Sequence, residues 1–416
     1  MNRKKPYNIA ITFNNDATTE MNFVWNTSED VVESKVEIWE AGGNVQTFTG
    51  KPYVREGFKY HPHHGLGRPE IVPPTTPEHI QVFAVHKITV SSLIPDTKYE
   101  YKLGGDSEFA YGSFKTGKAS GGFSFVYLAD AQAYSDKNFA AFNRTAHAAL
   151  CRVPHAGFVV MPGDMVDIGN SEELWCKFFN AADTMCTCYP IVPAIGNHET
   201  DLYHSTFTDH FNFPKSKSPY LPDYVYTFDY GGARFVVLST EHWCSHLETD
   251  REKTIAFMDA QKQLLRSAFS PGCDKWKIVV MHKALYTSGS YTPHSNTAMY
   301  KQIFEPLFDE LGVNAVLQGH DHTFVKAFVR GGKAVPLINE TTAKTHDGTF
   351  YLLSNASGEK FYDPVLEAKD LPLLKYDQPR LQMYTVVHVT EDNLRFETYV
   401  ITEKGEALYD EFLLQK

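Results

Sequence analysis

Two histidines separated by a single residue, His320 and His322, follow a short apolar segment that ends at Gly319. The apolar residues at 313–317 predict a buried β-strand. At the end of a strand two such imidazoles can reach one small volume, and imidazole is a good ligand for zinc, iron, nickel and copper. One His-x-His pair is weak evidence, so its meaning depends on whether other strands end in the same way.

Four further apolar segments end in polar residues of the kind that bind metals. The predicted strands at 123–129, 158–163, 189–195 and 276–281 are followed by Asp130, Asp164, Asn197 and His282. In open α/β sheets the carboxyl ends of the strands form the edge where ligands bind. Five such endings in one chain therefore indicate a shared site at that edge.

The six side chains comprise two carboxylates, one amide and three imidazoles. They are too many for one tetrahedral ion and sufficient for two ions that share a carboxylate. A pair of ions ~3.5–4 Å apart lowers the pKa of a water and stabilises an in-line displacement. Phosphate esters most need such help, because the ions offset the repulsion between an anionic ester and hydroxide. His198, beside Asn197, could hydrogen-bond a phosphoryl oxygen or protonate the leaving group, and Glu199 could orient it.

The composition is that of an ordinary globular protein. The chain has 416 residues, of which 43% are hydrophobic and 21% charged, which suits two domains. A net charge of −11 argues against nucleic-acid binding, although bound metal ions would still attract a small anionic substrate. No apolar run reaches the ~18 residues of a membrane span. The six cysteines lack metal-site or redox spacing, which indicates free or buried thiols in a reducing compartment.

The amino-terminal residues are basic, but no apolar stretch of the length of a signal sequence follows them. We therefore expect a cytoplasmic protein. A secreted protein whose leader had been removed would look the same.

The chain divides into two parts of different pattern. Residues 6–116 contain short segments rich in β-branched and aromatic residues with turns between them, which predicts an all-β sandwich. Residues 93–101, Leu-Ile-Pro-Asp-Thr-Lys-Tyr-Glu-Tyr, resemble a corner of fibronectin type III domains. Residues 117–122 have the composition of a flexible linker. From 123 to 416 strands alternate with helices, including one capped by Asn170, which predicts an α/β domain.

The polar endings resemble five ordered blocks of the calcineurin-like metallophosphoesterases, and the preceding β domain makes the purple acid phosphatases the most similar family. The blocks are Asp130, Gly163-Asp164-x-x-Asp167, Gly196-Asn197-His198-Glu199, Val279-x-x-His282 and Gly319-His320-x-His322.

The resemblance implies two packed β-sheets flanked by helices, with the site at the strand ends. It also assigns roles to individual residues. Asp164 would bridge two metals, and His198 would be the catalytic histidine. Asp130 and His322 would complete the first metal site, while the second would be completed by Asn197, His282 and His320.

Two positions depart from the family pattern. Asp167 stands where purple acid phosphatases place an iron-binding tyrosine, and Gln132 stands where other members often have a histidine. Asp167 could ligate the first metal directly or through water, and Gln132 could supply an amide oxygen. Such an oxygen-rich site favours Mn²⁺, Mg²⁺ or Fe²⁺, with Zn²⁺ also open for the pair. We predict a colourless protein, because the tyrosinate-to-iron charge transfer cannot arise at Asp167.

Two groups of loop histidines have no strand to place them. His294 lies in a loop rich in Gly, Ser and Tyr, and related enzymes use histidines there to hold phosphate. We predict that His294 and Gln132 contact the substrate, with an exposed loop histidine as the alternative for His294. The run His61-Pro-His63-His64 is interpreted as an exposed loop, because no acidic partner is near it in the sequence.

Three functions compete at this stage. The leading hypothesis is hydrolysis of small phosphate monoesters at a centre of two divalent metal ions. A phosphodiesterase that acts on nucleotides or lipid headgroups uses the same chemistry. A metal-binding or interaction module with a weakened first site belongs to another class, and the presence of His198 with every ligand of the second site argues against it. The sequence gives no indication of the oligomeric state.

Overall fold

The computed structural model describes residues 3–58, 80–105, 107–200, 206–241, 251–292 and 295–416. Eight strands form the first part of the chain: β1 (Tyr7–Thr12), β2 (Met21–Thr27), β3 (Ser34–Trp39), β4 (Gln46–Gly50), β5 (Tyr53–Phe58), β6 (Ile80–Val90), β7 (Lys98–Gly105) and β8 (Glu108–Lys115).

Strands and helices alternate after residue 122, and the chain ends in strands. The elements up to residue 268 are β9 (Phe123–Tyr127), α1 (Asp136–Arg152), β10 (Val159–Met161), α2 (Glu172–Ala181), α3 (Asp183–Cys188), β11 (Ile191–Pro193), α4 (Phe207–His210), β12 (Tyr226–Tyr230), β13 (Ala233–Val237) and α5 (Arg251–Ala268). The remaining elements are β14 (Trp276–Lys283), α6 (Ser295–Leu311), β15 (Ala315–Gly319), β16 (Phe324–Arg330), β17 (Lys333–Ala334), β18 (Thr342–Lys344), β19 (Thr349–Leu353), a 3-10 helix (Leu366–Asp370), β20 (Lys375–Asp377), β21 (Met383–Val389), β22 (Asn393–Thr402) and β23 (Gly405–Gln415).

Two large sheets pack face to face in the second part of the chain. One has the order β18-β23-β22-β21-β9-β10-β11-β1-β2-β6-β5, and the other has the order β12-β13-β14-β15-β19-β16-β17 with β20 beside β16. Their apolar faces interlock through aromatic rings, such as Phe350 stacked on Phe412 with ring centres 4.1 Å apart. Helices α1, α2 and α3 contact strands of the first sheet, and α5 contacts β13 of the second. The predicted pair of packed sheets flanked by helices is confirmed.

The prediction of a β-rich first part of the chain is also confirmed, but only one of its two layers is a separate sheet. A four-stranded sheet, β4-β3-β7-β8, packs on β2, where the Phe23 ring lies 5.0 Å from the ring of Tyr101. The opposite layer, β1-β2-β6-β5, continues the larger sheet of the second part, because β1 pairs in parallel with β11 at Thr12 and Ile191. The division into units at 6–116 and 123–416, with a linker at 117–122, stays a prediction.

Helix α2 begins one residue later than the sequence suggested. Its N-cap is Ser171, whose hydroxyl accepts a hydrogen bond from the Leu174 N–H at 3.4 Å, so the prediction of Asn170 as the cap is wrong. Ser171 has the extended backbone of an N-cap, and its short side chain reaches the third amide of the helix.

None of the helices among the described residues is long and apolar enough to cross a membrane.

Candidate metal centre

The backbone turns sharply where the central strands end. Asp130, Gln132, Asp164 and His320 have φ angles of 44°, 32°, 51° and 79°. This left-handed region is sparsely populated by residues with side chains, and such strain persists at functional sites because the surrounding structure imposes it. Each turn redirects the residue at a strand end, so the sequence-predicted side chains converge on one edge of the fold.

Three donor atoms lie around the Nε2 atom of His282. That nitrogen lies 3.3 Å from Asp164 Oδ2, 3.1 Å from Asn197 Oδ1 and 3.2 Å from His320 Nδ1. Two imidazole nitrogens at this distance need a proton or a cation between them, because two lone pairs repel each other. Nitrogen and oxygen donors in this arrangement suit a transition-metal ion.

Backbone carbonyl groups fix the orientation of two of the imidazoles. The Nδ1 atom of His282 is 2.8 Å from the Pro162 carbonyl oxygen, and the Nδ1 atom of His322 is 2.7 Å from the Lys360 carbonyl oxygen. If each Nδ1 carries the proton and donates it, each Nε2 presents a lone pair to the centre. Such outer hydrogen bonds are typical of histidines that bind metals.

A second group of donors lies beside the first and has unsatisfied atoms. Asp130 Oδ1 accepts a hydrogen bond from the His320 backbone N–H at 2.8 Å, while Asp130 Oδ2 and His322 Nε2 are buried without a hydrogen-bond partner in the part of the chain that the structure describes. Donor atoms of Asp130, Asp164 and His322 lie within 4.8 Å of one another, as do those of Asp164, His282 and His320. The clustered residues could therefore hold two ions, with Asp164 common to both groups.

The protonation of the centre reflects its crowding. Burial opposes the ionisation of Asp164, yet the nearby His282 and His198 imidazoles hold its pKa well below the usual range. Burial alone would lower the pKa of His282, but Asp164 raises it to about 10. Burial raises the pKa of Asp130 to about 8, and burial lowers that of His322 to about 3. The buried centre thus contains more hydrogen-bond acceptor atoms than protons to pair with them, and bound cations would compensate for this difference.

Glu199 supports the turns at the ends of the central strands. Its buried carboxylate accepts hydrogen bonds from the backbone N–H groups of Asp164 and Gly196, both at 2.8 Å, and of Met165 at 2.7 Å. It thereby joins the turn that carries Asp164 to the turn that carries Asn197. Burial raises the pKa of Glu199 to about 7.

His198 is oriented by Asp167 and Gln132. Its Nδ1 atom is 2.6 Å from the Asp167 carbonyl oxygen and 3.6 Å from Asp167 Oδ1, while its Nε2 atom is 2.6 Å from Gln132 Nε2. Gln132 Nε2 also donates to Asp167 Oδ1 at 3.1 Å. Among the described residues Asp167 belongs to neither group of clustered donors, and its Oδ1 atom lies beside Gln132 and His198.

Some sequence predictions lie outside the described residues. These are the substrate role of His294 and the interpretation of the run His61, His63 and His64.

Two tyrosines near the centre had no signal in the sequence. The ring of Tyr291 lies 3.9 Å from that of His320, and the ring of Tyr362 lies 4.8 Å from that of His322. Both come from loops, where neither periodicity nor a strand end marks their direction. The contact made by the Lys360 carbonyl group could not be predicted from the sequence either, because any residue type can supply a carbonyl group.

The architecture and the clustered donors are those of a dinuclear metallophosphoesterase. Consistent with this, residues 123–324 match the family described as "Calcineurin-like phosphoesterase", and residues 6–126 match "Purple acid Phosphatase, N-terminal domain". The chain therefore contains a calcineurin-like phosphoesterase domain preceded by a purple acid phosphatase N-terminal domain. Its combination of domains is that of the purple acid phosphatases, as the sequence resemblance implied.

Its relatives support this assignment. Purple acid phosphatases 21 and 22 of Arabidopsis thaliana are each 24% identical, over 58% of this chain and 52% and 53% of their own lengths. The chain thus spans about half the length of these two relatives. An uncharacterized protein of Mycobacterium tuberculosis is 22% identical over 91% of this chain and 73% of its own length.

Solved structures show the same fold. Purple acid phosphatase PPD1 from yellow lupin seeds superposes with a TM-score of 0.78 at 17% identity, covering 99% of this chain and 74% of its own. The structure of PhoD gives a TM-score of 0.65 at 14% identity, covering 99% of this chain and 91% of its own.

Proposed function

We propose that the protein hydrolyses phosphate monoesters of small molecules with the help of two divalent metal ions. The observation that carries the proposal is the pair of donor groups that share Asp164. It is joined by the buried atoms Asp130 Oδ2 and His322 Nε2, which have no hydrogen-bond partner among the residues described. When bound, two ions lower the pKa of a water and neutralise charge on the ester.

The two donor groups favour different ions. Asp130, Asp164 and His322 offer two carboxylates and one imidazole, a set that suits Mn²⁺, Mg²⁺ or Fe²⁺. Two imidazoles, from His282 and His320, join Asp164 in the other group and suit Zn²⁺ or iron. Because Asp167 faces His198, we keep the prediction of a colourless protein.

His198 is the residue that moves a proton in this proposal. Its side chain is 25% exposed, and its backbone N–H donates to Asp164 Oδ1 at 3.0 Å, so the ring stands beside the shared carboxylate. The Asp167 carbonyl group holds the Nδ1 atom of the ring, and the Nε2 atom faces Gln132. Gln132 Oε1 is buried without a partner among the described residues, so rotation of this amide would offer an acceptor to a protonated Nε2. His198 can then donate its proton to the leaving oxygen.

The first experiment combines metal analysis with hydrolysis of p-nitrophenyl phosphate and bis(p-nitrophenyl) phosphate after loading with Mn²⁺, Fe²⁺, Zn²⁺ or Mg²⁺. We expect two ions per chain, faster turnover of the monoester, and a loss of at least about a hundredfold in kcat for His198→Ala. His346→Ala is the matched control, because the His346 side chain is 75% exposed. Preference for the bis-ester would replace the proposal with a phosphodiesterase, and two bound ions without turnover of either ester would overturn it.

A further inference from the structure

A row of four aromatic rings runs along one side of the centre. The Tyr291 ring lies on His320, the Tyr362 ring lies on His322, and the two tyrosine rings are 6.1 Å apart at an angle of 66°. His320 and His322 are buried, whereas both tyrosines are partly exposed. The tyrosines therefore form an L-shaped corner whose inner side borders the histidines of both donor groups.

The segment that carries the histidines also holds the two tyrosines in place. The backbone N–H of Tyr362 donates to the His322 carbonyl oxygen at 3.1 Å, and the backbone N–H of Tyr291 donates to Asp321 Oδ2 at 3.2 Å. Gln378 Nε2 donates to the carbonyl oxygens of both His322 and Tyr362. These hydrogen bonds therefore hold the corner in a fixed position relative to the centre.

The position and chemistry of the corner suit the organic part of an ester. A phosphoryl group held by ions at Asp164 must direct its ester substituent away from the buried donors. Two rings at a steep angle can stack on one face of an aromatic group and meet its edge, the two favoured geometries of aromatic pairs. The ammonium group of Lys360, 5.6 Å from the centre of the Tyr362 ring, adds a positive charge beside the corner.

We propose that Tyr291 and Tyr362 select phosphate monoesters whose organic group carries an aromatic or heteroaromatic ring. This inference rests on the proposed function, since it places the phosphoryl group at the centre. It makes the two tyrosines determinants of specificity, and it assigns the recognition to their ring faces instead of their hydroxyl groups.

Binding of non-hydrolysable phosphonates tests the selection separately from catalysis. Calorimetry on the metal-loaded protein would compare benzylphosphonate with cyclohexylmethylphosphonate, which match in charge and nearly in size but differ in aromaticity. We expect about a fivefold preference for the benzyl compound. The preference should fall to about onefold in Tyr362→Leu and persist in Tyr362→Phe. Tyr111→Leu, at a tyrosine that is 68% exposed on β8, is the matched control.

The outcomes separate the two claims. Equal affinity for the two phosphonates in the wild-type protein, or loss of the preference in Tyr362→Phe, would overturn the selection even if phosphate monoesters are hydrolysed. A benzyl preference that depends on the Tyr362 ring, in a protein that hydrolyses no ester, would support the selection and overturn the proposed reaction. A comparison of phenyl phosphate with a purine 5′-nucleotide then distinguishes a simple aryl group from a nucleobase as the favoured ring.

Discussion

The two halves of the candidate centre share Asp164 but are built differently. In the half around His282, the donor atoms of Asn197 and His320 already lie within 3.2 Å of its Nε2 atom. In the half around His322, its Nε2 atom lies 3.7 Å from Asp130 Oδ1, and neither His322 Nε2 nor Asp130 Oδ2 has a hydrogen-bond partner among the described residues. The half around His282 is closely packed and rich in nitrogen, whereas the half around His322 is more open and rich in oxygen.

The two residues that depart from the family pattern, Asp167 and Gln132, bear on this difference between the halves. Asp167 and Gln132 stand where related sequences add ligands to the more open half, yet here they hydrogen-bond to each other and to His198. Whether these side chains also bind a metal stays a prediction, and the clustered donors of the more open half are Asp130, Asp164 and His322.

The most severe test removes the residue that both halves share. Asp164→Ala should abolish binding of both ions and lower kcat by about a thousandfold or more, because every charge-stabilising contribution of the ions is lost. Metal analysis and turnover of p-nitrophenyl phosphate would measure both effects. Retention of two ions by this variant would show that the halves are independent.

A matched pair of variants tests whether the halves differ in metal preference. His320→Ala and His322→Ala each remove one imidazole, so each should bind one ion fewer and lose about a hundredfold in turnover. The ion that remains in His322→Ala should be held best as Zn²⁺, since the nitrogen-rich half is intact. The ion in His320→Ala should be held best as Mn²⁺ or Mg²⁺. Identical metal preferences in the two variants would contradict the comparison.

A milder change addresses the role of Gln132. Gln132→Ala should lower kcat about tenfold while metal affinity stays unchanged, because the side chain orients His198. A fall in metal content in this variant would show instead that Gln132 is a ligand.

The smallest change in activity is expected for a substitution that restores the family residue. Asp167→Tyr places a phenol where purple acid phosphatases bind iron, and the iron-loaded variant should gain a visible absorption band that the wild-type protein lacks. Activity should fall less than tenfold, because the Asp167 carbonyl group still holds His198. A band in the iron-loaded wild-type protein would disprove the prediction of a colourless protein.

The strand ends were readable from the sequence because an apolar run that stops at Asp, Asn or His is a local signal. Those endings placed Asp130, Asp164, Asn197, His282, His320 and His322 at one edge, where the structure has them.

The direction of the side chains within the turns could not be predicted from the sequence. The carboxylate of Glu199 accepts hydrogen bonds from backbone amides, which its residue type does not predict. Its predicted role in orienting His198 stays a prediction. The direction of Gln132 depends on its positive φ, which the residue type does not predict. Contacts between distant segments, such as Tyr362 with His322 and β1 with β11, left no local pattern at all.

The parallel pairing of β1 with β11 has a practical consequence for the first part of the chain. Deleting residues 6–116 would remove the neighbour of β11 and uncover that edge of the sheet beside the buried apolar residues Ile191 and Val192. Uncovered sheet edges promote aggregation. Strand β1 therefore protects an edge of the sheet that carries the candidate centre, and the whole chain is expected to melt in a single cooperative transition.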